Sequence, residues 1–430
     1  MTYEEALTYL EGCSSFGIKP GLERIEALLD VLGHPEKAYK TIHITGTNGK
    51  GSVTSFVDTV LVTSGIRTGR YTSPHLVSYT ERFCVNNRHI TEDAFGAVIG
   101  KVAQAVETVL AQGVESPTQF EILTAAAFLF FKEQEVEYAV IEVGLGGLLD
   151  STNVIVPEVA VITNVTVDHQ QYCGTTVEEI ATHKAGIIKK GVPTVTAAQG
   201  GALDVIEAKA KEMKSPLYVF NRDFTIESRS ASRQGQMITW KDKKGEKSLL
   251  FTGLAGIHQS VNLACATMVI RILMKTEKRI SDETMREGLA RTKWPGRFEI
   301  SSVEGRTIIF DGAHNANGAE AFSMTYRELF KETPKRLVMA ILADKDIGAI
   351  VGGLVGPHDE VYTVPAPTPR SSDPEELARK MPCHARAFTS VSAGLEAAME
   401  QSHEGDIIVV AGSLYILGEA SEWLAHRQKH

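Results

Sequence analysis

This 430-residue chain has little of what marks several other classes of protein. Its five cysteines are scattered without C-x-x-C spacing, which argues against a disulfide framework or a zinc site. A net charge of −9 and the lack of a long basic run argue against nucleic acid as the main partner. The first residues, MTYEEALTYLEG, carry acids where a signal peptide carries bases, and the most apolar segment, residues 122–131, is too short to span a bilayer. We therefore expect a cytoplasmic protein that does not bind membranes.

Strand-like and helix-like segments alternate along most of the chain. Strands are predicted at residues 41–45, 138–143, 159–163 and 194–197, and helices at residues 94–110, 120–133, 177–189 and 261–274. Such alternation predicts an α/β fold with a mostly parallel sheet covered by helices. Between residues 224 and 251 the pattern instead predicts short strands in an antiparallel ribbon.

The helical pattern stops at Trp294-Pro295-Gly296, where a second set of strands begins. These strands are predicted at residues 307–310, 336–341, 361–364 and 407–410. A chain of this length also exceeds a comfortable single core. We predict two domains, residues 1–295 of the P-loop ATPase type and a smaller Rossmann-like domain over residues 296–430.

The segment IHITGTNGKGS, residues 42–52, predicts a nucleotide phosphate site. An apolar strand leads into a loop with three glycines, and an amphipathic helix follows, with Gly65 as its expected stop. Glycine N–H groups, the helix N-terminus and the charge of Lys50 can together cradle phosphate oxygens, and the Ser52 hydroxyl can reach a phosphate or its metal. The strict P-loop pattern would have a hydroxyl residue where Gly51 stands, so an ordinary glycine turn is the alternative.

Two further strands are expected to carry polar groups to the same edge of the sheet. The run YAVIEVGLGG delivers Glu142 to a strand end beside a glycine turn, where a carboxylate is the expected Mg²⁺ ligand. The run AVITNVTVDHQ ends in Asp168-His169. From chemistry alone His169 is a general base, a group that anchors the loop or a structural histidine.

Two more residues are weaker candidates. Lys184 lies on a predicted helix with Ile187 and Ile188 on its apolar side, so burial would lower its pKa and make a neutral, nucleophilic amine, even toward carbon dioxide. A surface lysine is the alternative. Ser73, before Pro74 at a strand end, sits in a turn that can aim its hydroxyl at a metal.

In the second half, WPGRFE presents Arg297 and DGAHNANG presents Asp311 and His314 after a strand. A cation and a carboxylate near a domain junction suit a nucleotide, with Arg297 on phosphate and Asp311 on ribose or base. Taken singly, each is equally compatible with a hinge salt bridge or a turn.

These motifs together resemble the folylpolyglutamate synthases, ATP-dependent ligases of the Mur ligase superfamily. The resemblance rests on GTNGKGS, TSPHL, EVGLGG–LD–TNV, DH, HKAGI, HQ–N, W-PGR-E and DGAHN, together with FGIKPGLERIEALLDVLGHPEK and GSLYILGE. They occur in family order from Phe16 to Glu419. Two positions depart from the family, with Leu148 where many members carry Arg and Ala316 where proline is usual.

The resemblance implies a role for each matching residue. Those implied to hold ATP are Asn48, Gly49, Lys50, Gly51, Ser52, Asn262, Arg297 and Asp311. Those implied to hold two Mg²⁺ ions are Ser73, Glu142, His169 and Lys184, the last as a carbamate. His314 would lie near the γ-phosphate and the incoming glutamate, and Lys50, Lys184 and His314 would be catalytic. We also expect Gln119, Phe120 and Glu121, with the loop of residues 16–24, to shape the pterin pocket.

The implied reaction joins L-glutamate to the γ-carboxylate of a reduced folate through an acyl phosphate, and family members are usually monomers. A dihydrofolate synthase, alone or as a second activity, is the nearest alternative because only the pterin pocket separates the two. A cell-wall Mur ligase is disfavoured by the GTNGKGS loop and by the lack of an N-terminal UDP-binding domain. A regulatory ATP-binding protein is disfavoured because Lys184, His169 and His314 are all present. A simple kinase would not need the DGAHN set.

Overall fold

The computed structural model describes residues 1–14, 17, 19–167 and 170–428. The helices are α1 (Tyr3–Ser14), α2 (Glu23–Val31), α3 (Lys50–Thr63), α4 (Glu92–Ala111), α5 (Gln119–Glu133), α6 (Gln170–Cys173), α7 (Val177–Ala185), α8 (Gly200–Glu212), α9 (Ile257–Leu273), α10 (Asp282–Arg291), α11 (Ala316–Phe330), α12 (Ile347–Leu354), α13 (Pro374–Arg379), α14 (Val391–Glu400) and α15 (Leu417–Arg427).

The strands are β1 (Lys40–Thr45), β2 (Thr68–Tyr71), β3 (Phe83–Val85), β4 (Arg88–His89), β5 (Tyr138–Glu142), β6 (Val159–Ile162), β7 (Thr194–Thr196), β8 (Leu217–Val219), β9 (Phe224–Ser232), β10 (Gly235–Asp242), β11 (Lys247–Thr252), β12 (Glu299–Val303), β13 (Arg306–Phe310), β14 (Arg336–Met339), β15 (Glu360–Thr363), β16 (Ala385–Ala387) and β17 (Ile407–Ala411). The chain divides into two compact units. The first comprises residues 1–227, 239–250 and 261–292, and the second comprises residues 228–238, 251–260 and 293–430.

The main sheet of the first unit has the order β4-β3-β2-β5-β1-β6-β7-β8. All neighbouring pairs from β2 to β8 are parallel, and β3 and β4 add an antiparallel edge. Central β1 pairs Ile44 with Glu142 of β5 and Thr45 with Ile162 of β6. The segments that follow β1, β5 and β6 therefore leave the sheet at one edge, where open α/β sheets bind ligands.

Helix α3, which follows the glycine loop, is buried along nearly its whole length. It packs so closely against α10 that a Cβ on Gly288 would lie 2.6 Å from the Cα of Val60. The helix that carries Lys50 at its first turn is therefore fixed on both sides, by the sheet and by α10.

Helix α4 is, in the part of the chain that the structure describes, the one helix long and apolar enough to cross a membrane. Its apolar side chains, among them Phe95, Ile99 and Val106, are buried in the core of the first unit. They pack with residues of α1 and α5. Because these side chains are buried, the apolar composition of α4 is that of a core helix.

The second unit contains a sheet of order β12-β13-β17-β14-β15-β16, in which β12 is antiparallel and the other strands are parallel. Phe298, Phe322 and Ile309 lie in its core. The predicted α/β class, with a mostly parallel sheet and a second Rossmann-like sheet, is confirmed. The predicted functional boundary between residues 295 and 296 stays a prediction.

Two local predictions are wrong, and two edge strands were not predicted. Helix α7 ends at Ala185, so Ile187 and Ile188 follow the helix instead of lying on its face, and their burial occurs beyond the helix. The edge strands β3 and β4 were not predicted because they are only three and two residues long. The ribbon of β9 to β11 is present, but its first two strands have nine and eight residues and are not short.

Candidate active site

The glycine loop after β1 needs two of its glycines for clear steric reasons. Gly46 has φ +151°, and a Cβ there would lie 1.8 Å from Oγ1 of Thr163. Gly49 has φ +86°, and its Cβ would lie 2.4 Å from Oδ1 of Asn262. Left-handed backbone and close neighbours both exclude larger residues. The predicted nucleotide residues Gly49 and Asn262 are thus brought together.

The segment after β6 braces this loop. The N–H of Asn48 donates to Oδ1 of Asn164 (2.8 Å), and Oγ1 of Thr163 donates to the carbonyl of Asn48 (2.6 Å). The N–H of Thr47 donates to the carbonyl of Asn164 (2.9 Å). Sequence reasoning missed Thr163 and Asn164, although the TN pair directly after an apolar strand was an available signal.

Lys50 is the first residue of α3, with Gly49 in the N-cap position. Its Nζ donates to the carbonyls of Gly46 (3.0 Å) and Thr47 (3.2 Å), so the ammonium group lies over the loop. Gly51 and Ser52 follow in the first turn of the helix, and Ser52 is buried. Loop amides, the helix N-terminus and one cation therefore surround the same place, as binding a phosphate chain requires.

The predicted metal ligands Ser73 and Glu142 are adjacent. Glu142 is the last residue of β5 and is only 4% exposed, and the Ser73 N–H lies 3.4 Å from its Oε2. Lys184, near the end of α7, is also 4% exposed, which rules out the alternative of a surface lysine. His169 and its neighbour Asp168 lie outside the described residues.

A carboxylate and a hydroxyl are hard oxygen donors of the kind that Mg²⁺ prefers, so Glu142 and Ser73 fit this ion. Within the described ranges no three His, Cys, Asp or Glu side chains lie close enough together to hold a metal ion. The predicted set does not require such a group, because two of its members are Ser73 and a modified Lys184.

A glycine turn follows Glu142 and contacts the end of α7. Oγ1 of Thr45 donates to the carbonyl of Gly146 (2.6 Å), and the N–H of Leu148 donates to the carbonyl of His183 (2.7 Å). A Cβ on Gly147 would lie 2.8 Å from that same carbonyl. The turn therefore sets the distance between β5, which carries Glu142, and the helix that carries Lys184.

A buried polar network supports the turn from below. Asp150 accepts from the N–H of Leu145 (2.8 Å) and from Oγ1 of Thr152 (2.5 Å), whose oxygen contacts Nε2 of His43 (2.8 Å). Burial lowers the pKa of His43 to about 3, so its ring is neutral. Because Thr152 gives its proton to Asp150, Nε2 of His43 must be the donor to Thr152. Sequence reasoning did not find this network.

The two residues predicted to touch the pterin lie in different surroundings. The ring of Phe120 stacks on Tyr71 at 6.2 Å and lies against Gly144, at the start of the glycine turn. Glu121 is 1% exposed, and its Oε2 accepts from the N–H of Thr118 (2.6 Å) and from Nε of Arg24 (3.2 Å). Phe120 is thus placed beside the turn, whereas Glu121 caps α5. Phe16, at the other end of the predicted loop, lies outside the described residues.

In the second unit, Arg297 and the DGAH segment are interlocked. The N–H of Gly312 donates to the carbonyl of Gly296 (2.8 Å), and a Cβ on Gly312 would lie 2.2 Å from a terminal nitrogen of Arg297. Nδ1 of His314 lies 2.7 Å from the carbonyl of Gly312. Since a carbonyl only accepts, Nδ1 carries the proton, and Nε2 has the lone pair in the neutral ring. Two predicted residues, Arg297 and His314, thus both lie beside Gly312.

Asp311 is a buried carboxyl at the end of β13. Its oxygens accept from the N–H groups of Phe298 and Ala313, both at 2.8 Å. Burial raises the pKa of Asp311 to about 6, although Arg297 and these two N–H groups act in the opposite direction. Both oxygens of Asp311 therefore already bind the backbone of this loop. A hydrogen bond to a nucleotide would use their remaining lone pairs.

Comparison with known protein families finds two matching domains. Residues 44–270 match the Mur ligase middle domain, and residues 296–414 match the Mur ligase glutamate ligase domain. The fold described above is the two-domain fold of the Mur ligases.

Relatives match over almost the whole chain. The chain is 36% identical to a folylpolyglutamate synthase of Lacticaseibacillus casei, covering 99% of each protein. It is 34% identical to a dihydrofolate synthase/folylpolyglutamate synthase of Bacillus subtilis, covering 97% of this chain and 98% of that one. The Escherichia coli protein FolC, solved in complex with DHPP and ADP, superposes with a TM-score of 0.89 at 30% identity, covering 100% and 99% of the two chains.

The chain belongs to the folylpolyglutamate synthase and dihydrofolate synthase family of Mur ligases. It is an ATP-dependent ligase.

Proposed function

We propose that this chain is a folylpolyglutamate synthase that adds L-glutamate to the γ-carboxylate of a reduced folate, with ATP converted to ADP and phosphate. The observation that carries the proposal is the shared sheet edge, where the glycine loop and Lys50 follow β1 and Glu142 ends the neighbouring parallel strand β5. The names of the relatives supply the substrate class.

In the first step, a carboxylate oxygen of the folate attacks the γ-phosphorus of ATP, and the bond to the β-phosphate oxygen breaks to release ADP. Loop amides and Lys50 hold the phosphate chain and offset the negative charge of the transferring group. Asn48, Gly51, Ser52 and Asn262 complete the nucleotide contacts. The product is an acyl phosphate.

In the second step, the amine of glutamate attacks the acyl carbon, and phosphate leaves to give an amide. The proposed role of His314 is to contact the phosphate and the incoming glutamate through Nε2, since Nδ1 is committed to Gly312. Arg297 contacts phosphate, and Asp311 contacts the nucleotide. Water must be kept from the acyl phosphate, because hydrolysis would waste it.

Two magnesium ions, when bound, would supply further positive charge against the phosphates and the attacking carboxylate. Ser73, Glu142 and His169 would hold one ion, and a carbamate on Lys184 would help to hold the second. The buried position of Lys184, near the end of α7, supports this proposal.

Lys184→Ala tests the carbamate. Activity should fall at least about a hundredfold and return in part when acetate or formate is added, because a free carboxylate can occupy the vacated space. Lys189→Ala is the matched control, since Lys189 follows the same helix and its Nζ donates to the carbonyl of Asn153 (3.0 Å). Full activity of Lys184→Ala without added carboxylate would refute the carbamate.

A dihydrofolate synthase activity is the second candidate, and it is favoured by the double name of the Bacillus subtilis relative and by the DHPP complex of FolC. The two activities share their chemistry and differ in the pterin substrate. We propose that Phe120, whose ring lies against Gly144, contacts that substrate.

The test measures ADP release by the purified chain with ATP, Mg²⁺ and glutamate, with tetrahydrofolate or dihydropteroate added separately. The products are identified by mass spectrometry. A glutamyl adduct with tetrahydrofolate alone supports the synthase, and adducts with both support a bifunctional enzyme. If neither tetrahydrofolate nor dihydropteroate supports ADP release, the folate assignment is refuted. We further propose a cytoplasmic monomer, which size-exclusion chromatography with light scattering and cell fractionation would test.

A further inference from the structure

Ser73 lies in a loop, residues 72–82, that joins β2 to β3 and is called the Ser73 loop below. Its base is closed by a hydrogen bond from the N–H of Thr72 to the carbonyl of Arg82 (3.2 Å). Only two of its residues, Thr72 and Thr80, are buried, and Val77 is 51% exposed. The conformation of the Ser73 loop therefore depends largely on polar contacts.

The carboxylate of Glu81 holds the middle of this loop. Its Oε2 accepts from the N–H of Leu76 (2.8 Å), and its Oε1 accepts from the N–H groups of Val77 (2.7 Å) and Ser78 (2.6 Å). Successive N–H groups that converge in this way form a concavity that binds an anion, and here the anion belongs to the chain itself. Hydrogen bonds to an ionised carboxylate are about twice as strong as those between neutral groups.

Helix capping accounts for only part of this arrangement. Glu81 belongs to the capping box of a short 3₁₀ helix (Tyr79–Arg82), whose N-cap residue is Ser78. In a capping box the acidic side chain binds one backbone group, the N–H of the N-cap residue. The contacts of Glu81 with Leu76 and Val77 go beyond that requirement and extend back along the loop toward Ser73.

A second group of contacts holds the residues on either side of Ser73. Thr72 is bound to the carbonyl of Arg82, and Nε of the same arginine donates to Nδ1 of His75 (2.9 Å). Burial lowers the pKa of His75 to about 4, so its ring is neutral and Nδ1 can accept. The short segment that contains Ser73 is thus fixed at both ends, with the Ser73 N–H 3.4 Å from Oε2 of Glu142.

We propose that Glu81 is a positioning residue for Ser73, which it holds beside Glu142 through the backbone of the Ser73 loop. The inference rests on the proposed function, in which Ser73 and Glu142 hold a magnesium ion. Glu81 uses both of its oxygens on backbone N–H groups, so it acts on the metal through Ser73 and not as a ligand. Removing a group that orients a metal ligand typically lowers metal affinity about tenfold to a hundredfold.

Glu81→Gln tests this role, because the amide keeps the size of the side chain but places an NH₂ group where one oxygen accepted. Asp359→Asn is the matched control. Asp359 also accepts backbone N–H groups on both oxygens, from Lys335 (3.0 Å) and Gly356 (2.6 Å), and it lies in the second unit. Both variants should therefore unfold at a lower urea concentration than the wild type.

Two measurements on the full chain separate positioning from stability. Without metal, hydrogen exchange followed by mass spectrometry should be faster across residues 76–78 in Glu81→Gln than in the wild type or in Asp359→Asn. The chain is then saturated with the ATP analogue AMPPCP, and Mn²⁺ is titrated while water proton relaxation is recorded. We expect the dissociation constant of Mn²⁺ to rise about tenfold or more in Glu81→Gln and to stay unchanged in Asp359→Asn.

Ser73→Ala separates failure of this inference from failure of the proposed function. It removes the hydroxyl and leaves the contacts of Glu81 in place, so Mn²⁺ binding should weaken while exchange at residues 76–78 stays the same. Wild-type Mn²⁺ affinity in Ser73→Ala would refute the proposed metal ligand, and the positioning role with it. If Ser73→Ala weakens Mn²⁺ binding but Glu81→Gln does not, or if exchange is unchanged in Glu81→Gln, the inference alone is overturned.

Discussion

At Gly49 two separate constraints act on one residue. Its φ of +86° disfavours any side chain, and Oδ1 of Asn262 occupies the place where a Cβ would be. Gly65 shares the first constraint, with φ +74°, but has no heavy atom within 4 Å of its Cβ position. The pair allows backbone strain to be separated from contact with Asn262.

Gly49→Ala and Gly65→Ala should each lower the free energy of unfolding by about 1–2 kcal/mol, because both place alanine at positive φ. Only Gly49→Ala should also raise the KM for ATP, by about tenfold or more, since it displaces the loop or Asn262. Urea unfolding and steady-state kinetics measure the two effects. Equal KM values for the two variants would contradict the assigned role of the loop.

Asp311 gives a prediction with a definite sign. Its pKa is about 6 in the folded chain and near 3.8 when unfolded, so the folded state binds more protons between these values. This group therefore makes folding less favourable as pH rises from about 4 to 6, by up to about 3 kcal/mol. Removing the carboxylate should remove that pH dependence.

Asp311→Asn should accordingly become more stable relative to the wild type at pH 7.5 than at pH 4.5. The asparagine amide has one acceptor oxygen fewer than the carboxylate for the N–H groups of Phe298 and Ala313. This loss changes the free energy of unfolding by the same amount at every pH and leaves its pH dependence unchanged. Denaturant unfolding of both proteins at the two pH values measures the difference. A difference independent of pH would show that Asp311 is ionised throughout.

At the scale of elements, Asp150 joins the glycine turn after β5 to the central strand of the sheet. Asp150 binds the N–H of Leu145 with one oxygen and Thr152 with the other. Through Thr152 it reaches His43 in the central strand. The turn is therefore tied to β1 and to the end of α7 at once.

Asp150→Asn should lower kcat about tenfold or more with a smaller change in the KM for ATP, because an amide cannot accept on both sides and the Glu142–Lys184 spacing relaxes. Asp346→Asn is the matched control, since Asp346 caps α12 by accepting from the N–H of Ala349. A kcat as high as in the control variant would show that the network only stabilises the fold.

Helices and strands with a regular spacing of apolar residues could be predicted from the sequence. Strand β1, the loop and α3 follow from alternation, glycines and an apolar face, and Glu142 was placed because a lone carboxylate ends an apolar strand. Contacts between distant segments could not be predicted. The brace of Asn164 on Asn48 spans 116 residues, and that of Thr152 on His43 spans 109. No local pattern encodes such pairs.

For the whole molecule, the acidic charge of the chain bears on how it binds its proposed substrates. Its net charge is −9, and its proposed substrates are ATP, glutamate and folate, all of them anions. Binding must therefore rely on local cations and oriented amides, as the Lys50 loop and Arg297 provide, and not on the mean field of the protein. The central claim is that the carboxylate is activated as an acyl phosphate.

Transfer of ¹⁸O tests that claim most directly. Tetrahydrofolate labelled with ¹⁸O in its γ-carboxylate is incubated with the chain, ATP, Mg²⁺ and glutamate, and the phosphate products are analysed by mass. We predict one ¹⁸O in inorganic phosphate for each amide formed, because the bridging oxygen of an acyl phosphate leaves with phosphorus. Amide formation with unlabelled phosphate, or with the label in AMP, would contradict the account.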